Sequence, residues 1–593
     1  MLEQARQLLK HYYGYGYFRK GQEQIIQSIL SKQDTFGIIP TGGGKSICFQ
    51  IPALIFSGVT LVISPLISLM KDQIETLEQL GIPATFINSS LEYYEARKRI
   101  EACKKGCYKL IYVAPERLDS EEFKGLIQGL SINFIAVDEA HCVSQWGHDF
   151  RPSYGLIASF IKGLDRTPTV AAFTATATHE VKNDVVRLLH LKNPNVFITG
   201  FDRENLCFSV QKGIDKEQFL LQYLEEHRDD VGIIYAATRK EVDKLYETLY
   251  YKGYAAARYH AGMTDIRRTK AQEAFIFDDV NVMVATNAFG MGIDKSNVRY
   301  VIHYNMPKNI EAYYQEAGRA GRDNEPSECI LLFSPRDILL QRYMIQNNDL
   351  SDERKQLEYK RLQTMIDYCH TTNCLRKYLL GYFGEEYLQD NCSNCSICAD
   401  ERELLDITVD AQKVFSCIYR MGQRYGISMV SQVLKGSNSK KIKQLGLDGI
   451  TTYGIMQGYT LQQIKDVINV LIADGYLQLT EGEYPVIKLR EKAGAVIKNQ
   501  EKVLQRVHRK MEKAEADFTL FEQLRSLRKK IAQREQVPPY IIFNDSTLRE
   551  MSEYCPMDLK TFSRIKGVGQ AKLEKYGQQF ISLIQEYVKE NFR

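Results

Sequence analysis

The chain lacks any apolar run long enough to cross a membrane, because lysine, aspartate or glutamate interrupts every hydrophobic stretch. It has one tryptophan, no low-complexity tract and no internal repeat. Its first residues, MLEQARQLLK, are charged and do not resemble a secretory signal. These absences argue against membrane, repeat and secreted proteins, and we expect a cytoplasmic protein.

The chain also lacks a large excess of positive or negative charge. Lysine and arginine total 77 against 73 acidic residues, and this net charge of +4 is too small by itself to indicate a nucleic-acid partner. The 593 residues, 44% hydrophobic, predict several soluble globular domains. Most of the 13 cysteines are scattered and fit reduced core residues of an intracellular protein.

A glycine-rich turn between a β-leaning segment, residues 35–39, and a helical run, residues 47–56, predicts a phosphate cradle. Glycines let the backbone curl so that its N–H groups point inward, and the helix start favours an anion. Lys45 would reach the outer phosphates, and Ser46 would hold Mg²⁺. Because Ile39 replaces a glycine of the strict pattern, an ordinary turn is the alternative. The predicted nucleotide-binding residues are Thr41, Gly42, Gly43, Gly44, Lys45 and Ser46.

Alternating strands and helices over the first 205 residues predict a doubly wound parallel sheet, whose ligands bind at the carboxyl ends of the strands. Asp138 and Glu139 directly follow an apolar strand. We expect Asp138 to hold the Mg²⁺ and Glu139 to activate the attacking water. Two acids at a helix start are the alternative, but the phosphate loop favours nucleotide hydrolysis.

A second α/β pattern covers residues 206–340 and has no phosphate loop of its own. We therefore expect it to close over a nucleotide bound to the first lobe and to supply positive charge. Arg319 and Arg322, three residues apart, would share one helix face. Arginine suits the charge that develops on a leaving phosphoryl group. A salt-bridged surface helix is the alternative.

The string SQWGHDFRPSY, residues 144–154, interleaves aromatic and basic side chains. This pattern predicts a stacking platform for unpaired bases, formed by Trp146, His148, Phe150 and Arg151. The alternative is a loop whose aromatic rings pack on one another. No second group of metal ligands lies near His148 in the sequence, so we do not expect a metal there.

Cys392, Cys395 and Cys398 follow a CxxCxxC spacing. With one more cysteine upstream they suit a structural Zn²⁺ site, although iron–sulfur clusters use similar runs. Farther on, helices followed by a hairpin near residue 480 are typical of a winged helix. There Lys440 and Lys441 either contact duplex phosphates or belong to a solvated loop.

The glycine loop, Asp138–His141 and Thr174–Thr176 resemble motifs I, II and III of the superfamily 2 helicases. The string from Tyr13 to Gln22 resembles motif 0 of one branch, the RecQ family of DNA helicases. That resemblance implies that Gln22 reads the adenine edge, Tyr15 stacks on the base and Arg19 supports the pocket.

Further strings extend the resemblance. Residues 62–73 and 112–118 resemble motifs Ia and Ic, which implies that Ser64 lies at the single strand's backbone. Residues 284–294 resemble motif V, and this implies a place for Asp294 at the nucleotide cleft. Residues 315–323 resemble motif VI, with Arg322 as the arginine finger and Arg319 beside it.

The resemblance also favours zinc over an iron–sulfur cluster and selects Cys374 as the fourth ligand. It predicts two RecA-like parallel-sheet lobes, a helical zinc-binding region, a winged helix and a small all-α HRDC-like domain. In that terminal domain Gly567–Gly569 either offers N–H groups to a DNA phosphate or is a plain turn. The expected boundaries are 1–205, 206–340, 341–404, 405–500, a helical linker over 501–516, and 517–593.

The resemblance implies an ATP- and Mg²⁺-dependent helicase that moves 3′→5′ on single-stranded DNA and unwinds duplex or branched DNA during recombination, repair and replication-fork maintenance. We expect a monomer associated with the nucleoid, with a single-strand-binding protein as a further partner and no membrane contact. The rivals are an RNA helicase of the same superfamily and a DNA-binding scaffold without catalysis.

Overall fold

The computed structural model describes residues 1–88, 91–147, 149–290, 295–348, 350–399, 404–480, 485–506 and 519–591. Two parallel sheets with helices on both faces come first, a mainly helical region follows, and a helical unit ends the chain. The expected fold class is therefore confirmed. No helix in the described ranges is both long and apolar enough to span a bilayer.

The first lobe is a seven-stranded sheet in the order β3-β4-β2-β5-β6-β1-β7, parallel throughout. Its strands are β1 Thr35–Ile38, β2 Val59–Ile63, β3 Ala84–Ile87, β4 Leu110–Val113, β5 Ile132–Val137, β6 Thr169–Thr174 and β7 Asn195–Ile198. Its helices are α1 Leu2–Leu8, α2 Gln22–Leu30, α3 Lys45–Ile55, α4 Ile67–Gln79, α5 Tyr93–Lys104, α6 Glu121–Ile127, α7 Leu156–Lys162 and α8 His179–Leu188.

The second lobe is a six-stranded parallel sheet in the order β10-β11-β9-β12-β13-β8. Its strands are β8 Leu206–Lys212, β9 Val231–Tyr235, β10 Ala256–Tyr259, β11 Val282–Ala285, β12 Val298–His303 and β13 Ser327–Phe333. Its helices are α9 Lys216–Glu226, α10 Arg239–Tyr251, α11 Asp265–Ile276, α12 Ile310–Ala317 and α13 Pro335–Gln346.

The region after the lobes contains the predicted hairpin, β15 paired antiparallel with β16. Its elements are α14 Asp352–His370, α15 Leu375–Tyr382, β14 Leu404–Asp406, α16 Thr408–Arg420, α17 Ile427–Lys435, α18 Lys440–Gln444, α19 Leu461–Ala473, β15 Leu477–Leu479, β16 Ile487–Leu489, α20 Glu491–Ile497 and β17 Leu504–Arg506. The terminal unit consists of α21 Thr519–Glu535, α22 Pro539–Ile542, α23 Asp545–Tyr554, α24 Leu559–Phe562 and α25 Gln570–Asn591.

The expected helical linker over 501–516 is wrong at its start. Residues 504–506 form β17, which pairs antiparallel with β14, and Ile407 N–H donates to the carbonyl of Val503 at 2.9 Å. An available strand partner thus overrides the charged, helix-like composition of this segment. Residues 507–516 lie outside the described residues.

One hydrophobic core joins the facing sides of the two sheets to the helical region that follows. It runs from Phe36 in β1 to Cys395 in the cysteine cluster. Separate cores fill the winged-helix region and the terminal unit. The two lobes and the cysteine-bearing region therefore share one continuous core.

Candidate active site

The phosphate loop lies at the carboxyl end of β1, as predicted. Gly42 and Gly44 have φ of +80°, which glycine tolerates and other residues disfavour. A Cβ at Gly43 would lie 2.9 Å from the carbonyl oxygen of Pro40. Helix α3 begins at Lys45, so its N-terminal end faces the cradle formed by the loop.

The two predicted acids meet the predicted lysine. Lys45 Nζ lies 2.7 Å from Glu139 Oε1 and 3.6 Å from Asp138 Oδ1. Burial raises the pKa of Asp138, although the charge of Lys45 opposes this. Burial acts in the same direction on Glu139, but the charge of Lys45 and the hydrogen bond with His141 outweigh it and lower the pKa of Glu139. Glu139 is therefore held as a carboxylate beside the phosphate loop.

Residue 139 also adopts an unusual backbone conformation. Its φ of +46° is uncommon for a residue with a side chain. The turn is supported by His141, whose Nδ1 lies 2.9 Å from Thr174 Oγ1 at the end of β6. The strand that separates β1 from β5 thus orients the acid turn through a buried histidine.

The N-terminal residues lie against the outside of the phosphate loop. Gln22 Nε2 donates to the carbonyls of Gly43 and Gly44 at 3.1 and 3.2 Å, and Arg19 Nη1 donates to Gly42 at 2.6 Å. Tyr15 lines the same cleft. All three predicted base-pocket residues are therefore neighbours of the cradle, and the Gln22 amide is directed at the loop backbone.

Arg319 and Arg322 reach the cleft from the second lobe, but not on a helix face as expected. Helix α12 ends at Ala317, and both arginines lie in the turn after it. Gly321, at φ +57°, leaves no room for a Cβ beside Asn205 and Glu325, so the turn requires glycine at this position. Arg322 packs against Gly42, and its charge acts on Lys45. Arg319 is buried, and its charge opposes the rise that burial causes in the pKa of Tyr235.

The terminal helical unit forms a third wall of the cleft, whose volume is about 880 Å³. A Cβ at Gly14 would lie 2.6 Å from the backbone nitrogen of Gly569, so the predicted Gly567–Gly569 turn packs on the first lobe. On the second lobe, Arg549 pairs with Glu325 at 2.7 Å. The unit therefore contacts both lobes beside the nucleotide site.

The predicted base platform is partly exposed, with Trp146 at 47% and Phe150 at 38%. Arg151 Nη1 donates to the carbonyl of Pro65 at 2.9 Å. Arg361 of α14 donates to the Trp146 carbonyl, and Tyr154 donates to the carbonyl of Asp138 at 2.8 Å. The loop is thus tied to the acid strand, while its large rings stay available. His148 lies outside the described residues.

The remaining predicted DNA residues fall in different settings. Ser64 is buried at the end of β2, and its hydroxyl has no hydrogen-bond partner among the described residues. Lys440 and Lys441 begin α18 and are exposed. Asp294 lies outside the described residues.

The four predicted metal ligands come together. The sulfurs of Cys374, Cys392, Cys395 and Cys398 all lie within 4.8 Å of one another. Hydrogen bonding from Cys374, together with backbone N–H groups, lowers the pKa of the Cys395 thiol to about 4. Four cysteine sulfurs in a closed set suit tetrahedral Zn²⁺. Cys369, the nearby competitor, is buried outside this set.

The sequence analysis did not identify two arginines that contact the site or its surroundings. Arg203, in the connection between the lobes, donates to the phosphate loop, and Arg376 of α15 donates to the backbone of that connection. Neither residue stands in a spaced motif, and their contacts are to backbone carbonyls. No local pattern in the sequence marks either position.

A phosphate loop with an acid pair on one parallel-sheet lobe, faced by arginines from a second such lobe, defines the two-lobed ATP-dependent helicase class. Models of five families match the chain: DEAD/DEAH box helicase over residues 19–184, helicase conserved C-terminal domain over 215–324, RecQ zinc-binding over 335–399, RQC domain over 401–514 and HRDC domain over 517–584.

Curated relatives from the same family match this chain along almost its whole length. The ATP-dependent DNA helicase RecQ of Bacillus subtilis is 48% identical over 99% of this chain and 100% of its own. The Haemophilus influenzae protein of the same name is 42% identical over 98% of this chain and 96% of its own. This chain belongs to the RecQ family of ATP-dependent DNA helicases.

Proposed function

We propose that the chain couples ATP hydrolysis at this cleft to 3′→5′ movement on single-stranded DNA and to separation of duplex or branched DNA. One observation carries the proposal: Lys45 from the first lobe and Arg322 from the second meet at the same phosphate turn. A triphosphate bound there would be held from both lobes at once, so its cleavage would change how they are held together.

The residues present suit each chemical role. Ser46 and Asp138 offer a hydroxyl and a carboxylate beside Lys45, which fits Mg²⁺. Bound Mg²⁺ would neutralise phosphate charge. Glu139, kept ionised by its neighbours, accepts a proton from the attacking water. Lys45 exchanges its contacts with the acids for phosphate oxygens, and Arg322 stabilises charge on the leaving phosphoryl group.

DNA contact is assigned to the aromatic platform and the neighbouring strand ends. Trp146 and Phe150 would stack on bases, while Arg151 and the segment around Ser64 follow the backbone. The exposed Lys440 and Lys441 would contact duplex phosphates ahead of the cleft. Gln22, Tyr15 and Arg19 form the proposed adenine pocket, and Asp294 belongs to the same cleft by its motif.

The cellular processes, the location and the partners that we propose follow from DNA as the substrate. We propose action in recombination, repair and replication-fork maintenance, at the nucleoid in the cytoplasm, by a monomer that meets a single-strand-binding protein on exposed strands. The Cys₄ set would hold Zn²⁺ as a structural ion in the region after the lobes.

The test is unwinding of duplexes that carry a 3′ tail, a 5′ tail or a fork, with ATP and Mg²⁺. The proposal predicts unwinding of the 3′-tailed and forked substrates only. Unwinding from the 5′ tail alone would contradict the polarity. Stimulation of ATP hydrolysis by single-stranded RNA but not DNA would favour the RNA helicase, and no hydrolysis with either would favour the scaffold.

A further inference from the structure

Arg203 lies in the chain connection between the two sheets, after β7 and before β8. Its side chain is 8% exposed. Nη1 donates to the carbonyl of Thr41 in the phosphate loop at 2.5 Å. Nη2 donates to the carbonyls of Ala320 and Gly321, in the turn that carries Arg319 and Arg322, at 3.1 and 2.6 Å. One guanidinium thus bridges the two halves of the ATP site.

The acceptors on the second lobe are carbonyls of the turn that follows α12, which ends at Ala317. A cation just beyond the C-terminal end of a helix meets the negative end of the helix dipole. Nη1 makes a further, long contact to the carbonyl of Gly318 at 3.5 Å. Arg203 therefore holds the arginine turn where it leaves α12.

Burial of the Arg203 guanidinium in this bridge costs free energy, which is unusual for a purely structural contact. No carboxylate in the described ranges pairs with Arg203, and burial lowers its pKa, with the neighbouring charges of Arg322 and Arg19 acting in the same direction. Three arginines thus converge on one loop. A buried charge paired only with carbonyls is costly, and such arrangements are common at functional sites.

The connection itself is held from a third part of the chain. Arg376 of α15 donates to the carbonyl of Arg203 at 2.8 Å and to that of Leu206 at 2.6 Å, and it pairs with Asp202. Asn394 donates to the carbonyl of Glu204 at 2.8 Å. The backbone that carries Arg203 is therefore fixed, and its side chain has little freedom to leave the bridge.

We propose that Arg203 is a positioning residue for ATP hydrolysis, which sets the distance between the phosphate loop and the arginine turn by holding Thr41, Ala320 and Gly321 with one planar fork. It contacts loop and turn through backbone carbonyls, so it acts through Arg322. The inference rests on the proposed function of the cleft. A lysine cannot replace it, because a single ammonium cannot span both sets of carbonyls.

The test compares Arg203→Lys in the full-length chain with the wild type and with Arg99→Lys. Arg99 is the matched control: its guanidinium also holds a backbone carbonyl, that of Phe86 at 3.2 Å, but at the distant edge of the first sheet. With saturating single-stranded DNA, we expect kcat of Arg203→Lys to fall at least about ten-fold. KM for ATP and the affinity for a fluorescent ATP analogue should stay within about two-fold, and Arg99→Lys should turn over normally.

A second comparison separates positioning from stability. In an Arg322→Ala background, adding Arg203→Lys should change kcat by less than about two-fold, because the residue acts through Arg322. The inference would be overturned if the fold loss in kcat of the double variant equalled the product of the two single losses, or if Arg203→Lys alone left kcat unchanged.

If Arg203→Lys unfolds, Asn205→Ala serves instead. This variant removes the acceptor of Arg203 Nε and a donor to Gly321, and it should lower kcat without raising KM.

The two proposals fail differently. Absence of DNA-stimulated ATP hydrolysis in the wild-type chain would sink the proposed function. Normal wild-type hydrolysis with a fully active Arg203→Lys would sink only the role of Arg203.

Discussion

The hydroxyl of Tyr154 donates to the main-chain carbonyl of Asp138 at 2.8 Å, and so joins the aromatic platform to the strand that carries the acids. The platform is also held by Arg361, which contacts the Trp146 carbonyl and lies 3.6 Å from Glu311 on α12. Helix α12 leads directly into the arginine turn. The aromatic platform is therefore linked to the acids through Tyr154, and to the arginine turn through Arg361, Glu311 and α12.

Trp146→Ala tests this connection. Removal of the indole should lower the DNA-stimulated part of ATP hydrolysis roughly ten-fold, since a stacked base contributes about 1–3 kcal/mol. ATP hydrolysis without DNA and the KM for ATP should not change. The measurement is steady-state turnover as single-stranded DNA is titrated.

Tyr250→Ala is the control for the platform prediction. Tyr250 is 62% exposed on α10 of the second lobe, and its removal should leave stimulation intact. Equal loss of DNA-free and DNA-stimulated turnover in Trp146→Ala would show that the ring supports folding and not coupling.

Lys45→Ala should abolish turnover. The lysine compensates both acids, so its loss removes a phosphate contact and leaves Asp138 and Glu139 facing each other. We expect at least about a 100-fold fall in kcat, the scale of losing one preorganised donor to a developing charge. Single-stranded DNA binding, followed by fluorescence anisotropy, should stay within about two-fold. Retained DNA-stimulated turnover would refute the role of Lys45.

The cysteine set should hold zinc and not an iron–sulfur cluster. Purified protein should contain about one zinc per chain and no visible absorption band. Cys395→Ser should lose the metal and lower the midpoint of thermal unfolding, because four thiolates would no longer close the site. Cys107→Ser, at an exposed free cysteine, is the control. A visible chromophore that bleaches on reduction would instead indicate iron and sulfur.

The ion pair between Arg549 and Glu325 should help to hold the terminal unit over the cleft. Either Arg549→Glu or Glu325→Arg should weaken docking by about 1 kcal/mol, roughly five-fold, because the pair is only partly shielded from water. Hydrogen exchange at residues 11–14 and 567–569 should rise in each single variant. The double variant, which combines Arg549→Glu with Glu325→Arg, should restore protection against hydrogen exchange. Fast exchange that persists in the double variant would assign docking to other contacts.

The parts that the sequence predicted share one property: their chemistry is local. The phosphate loop, Asp138 with Glu139, and the CxxCxxC run each carry the needed residues within a few positions, so a spacing argument finds them. The α/β pattern of both lobes was predicted for the same reason, because most of its strands are short continuous apolar runs.

The elements that were missed depend on contacts between distant segments. Strand β8 alternates buried and half-buried residues and has no continuous apolar run, and β7 is an edge strand with exposed ends. The turn after α12 is held by Arg203, which comes from another segment. The docking of the terminal unit requires Gly14 and Gly569, from opposite ends of the chain, to meet. No local pattern encodes such pairs.

Steady-state ATP turnover of Arg322→Ala, with saturating single-stranded DNA, tests most directly whether the phosphates are cleaved between the lobes. We predict a fall in kcat on the order of 10³-fold, as for other arginines that neutralise a leaving phosphoryl group, with affinity for a non-hydrolysable ATP analogue within about three-fold of the wild type. Turnover equal to that of the wild type would contradict a site shared by Lys45 and Arg322.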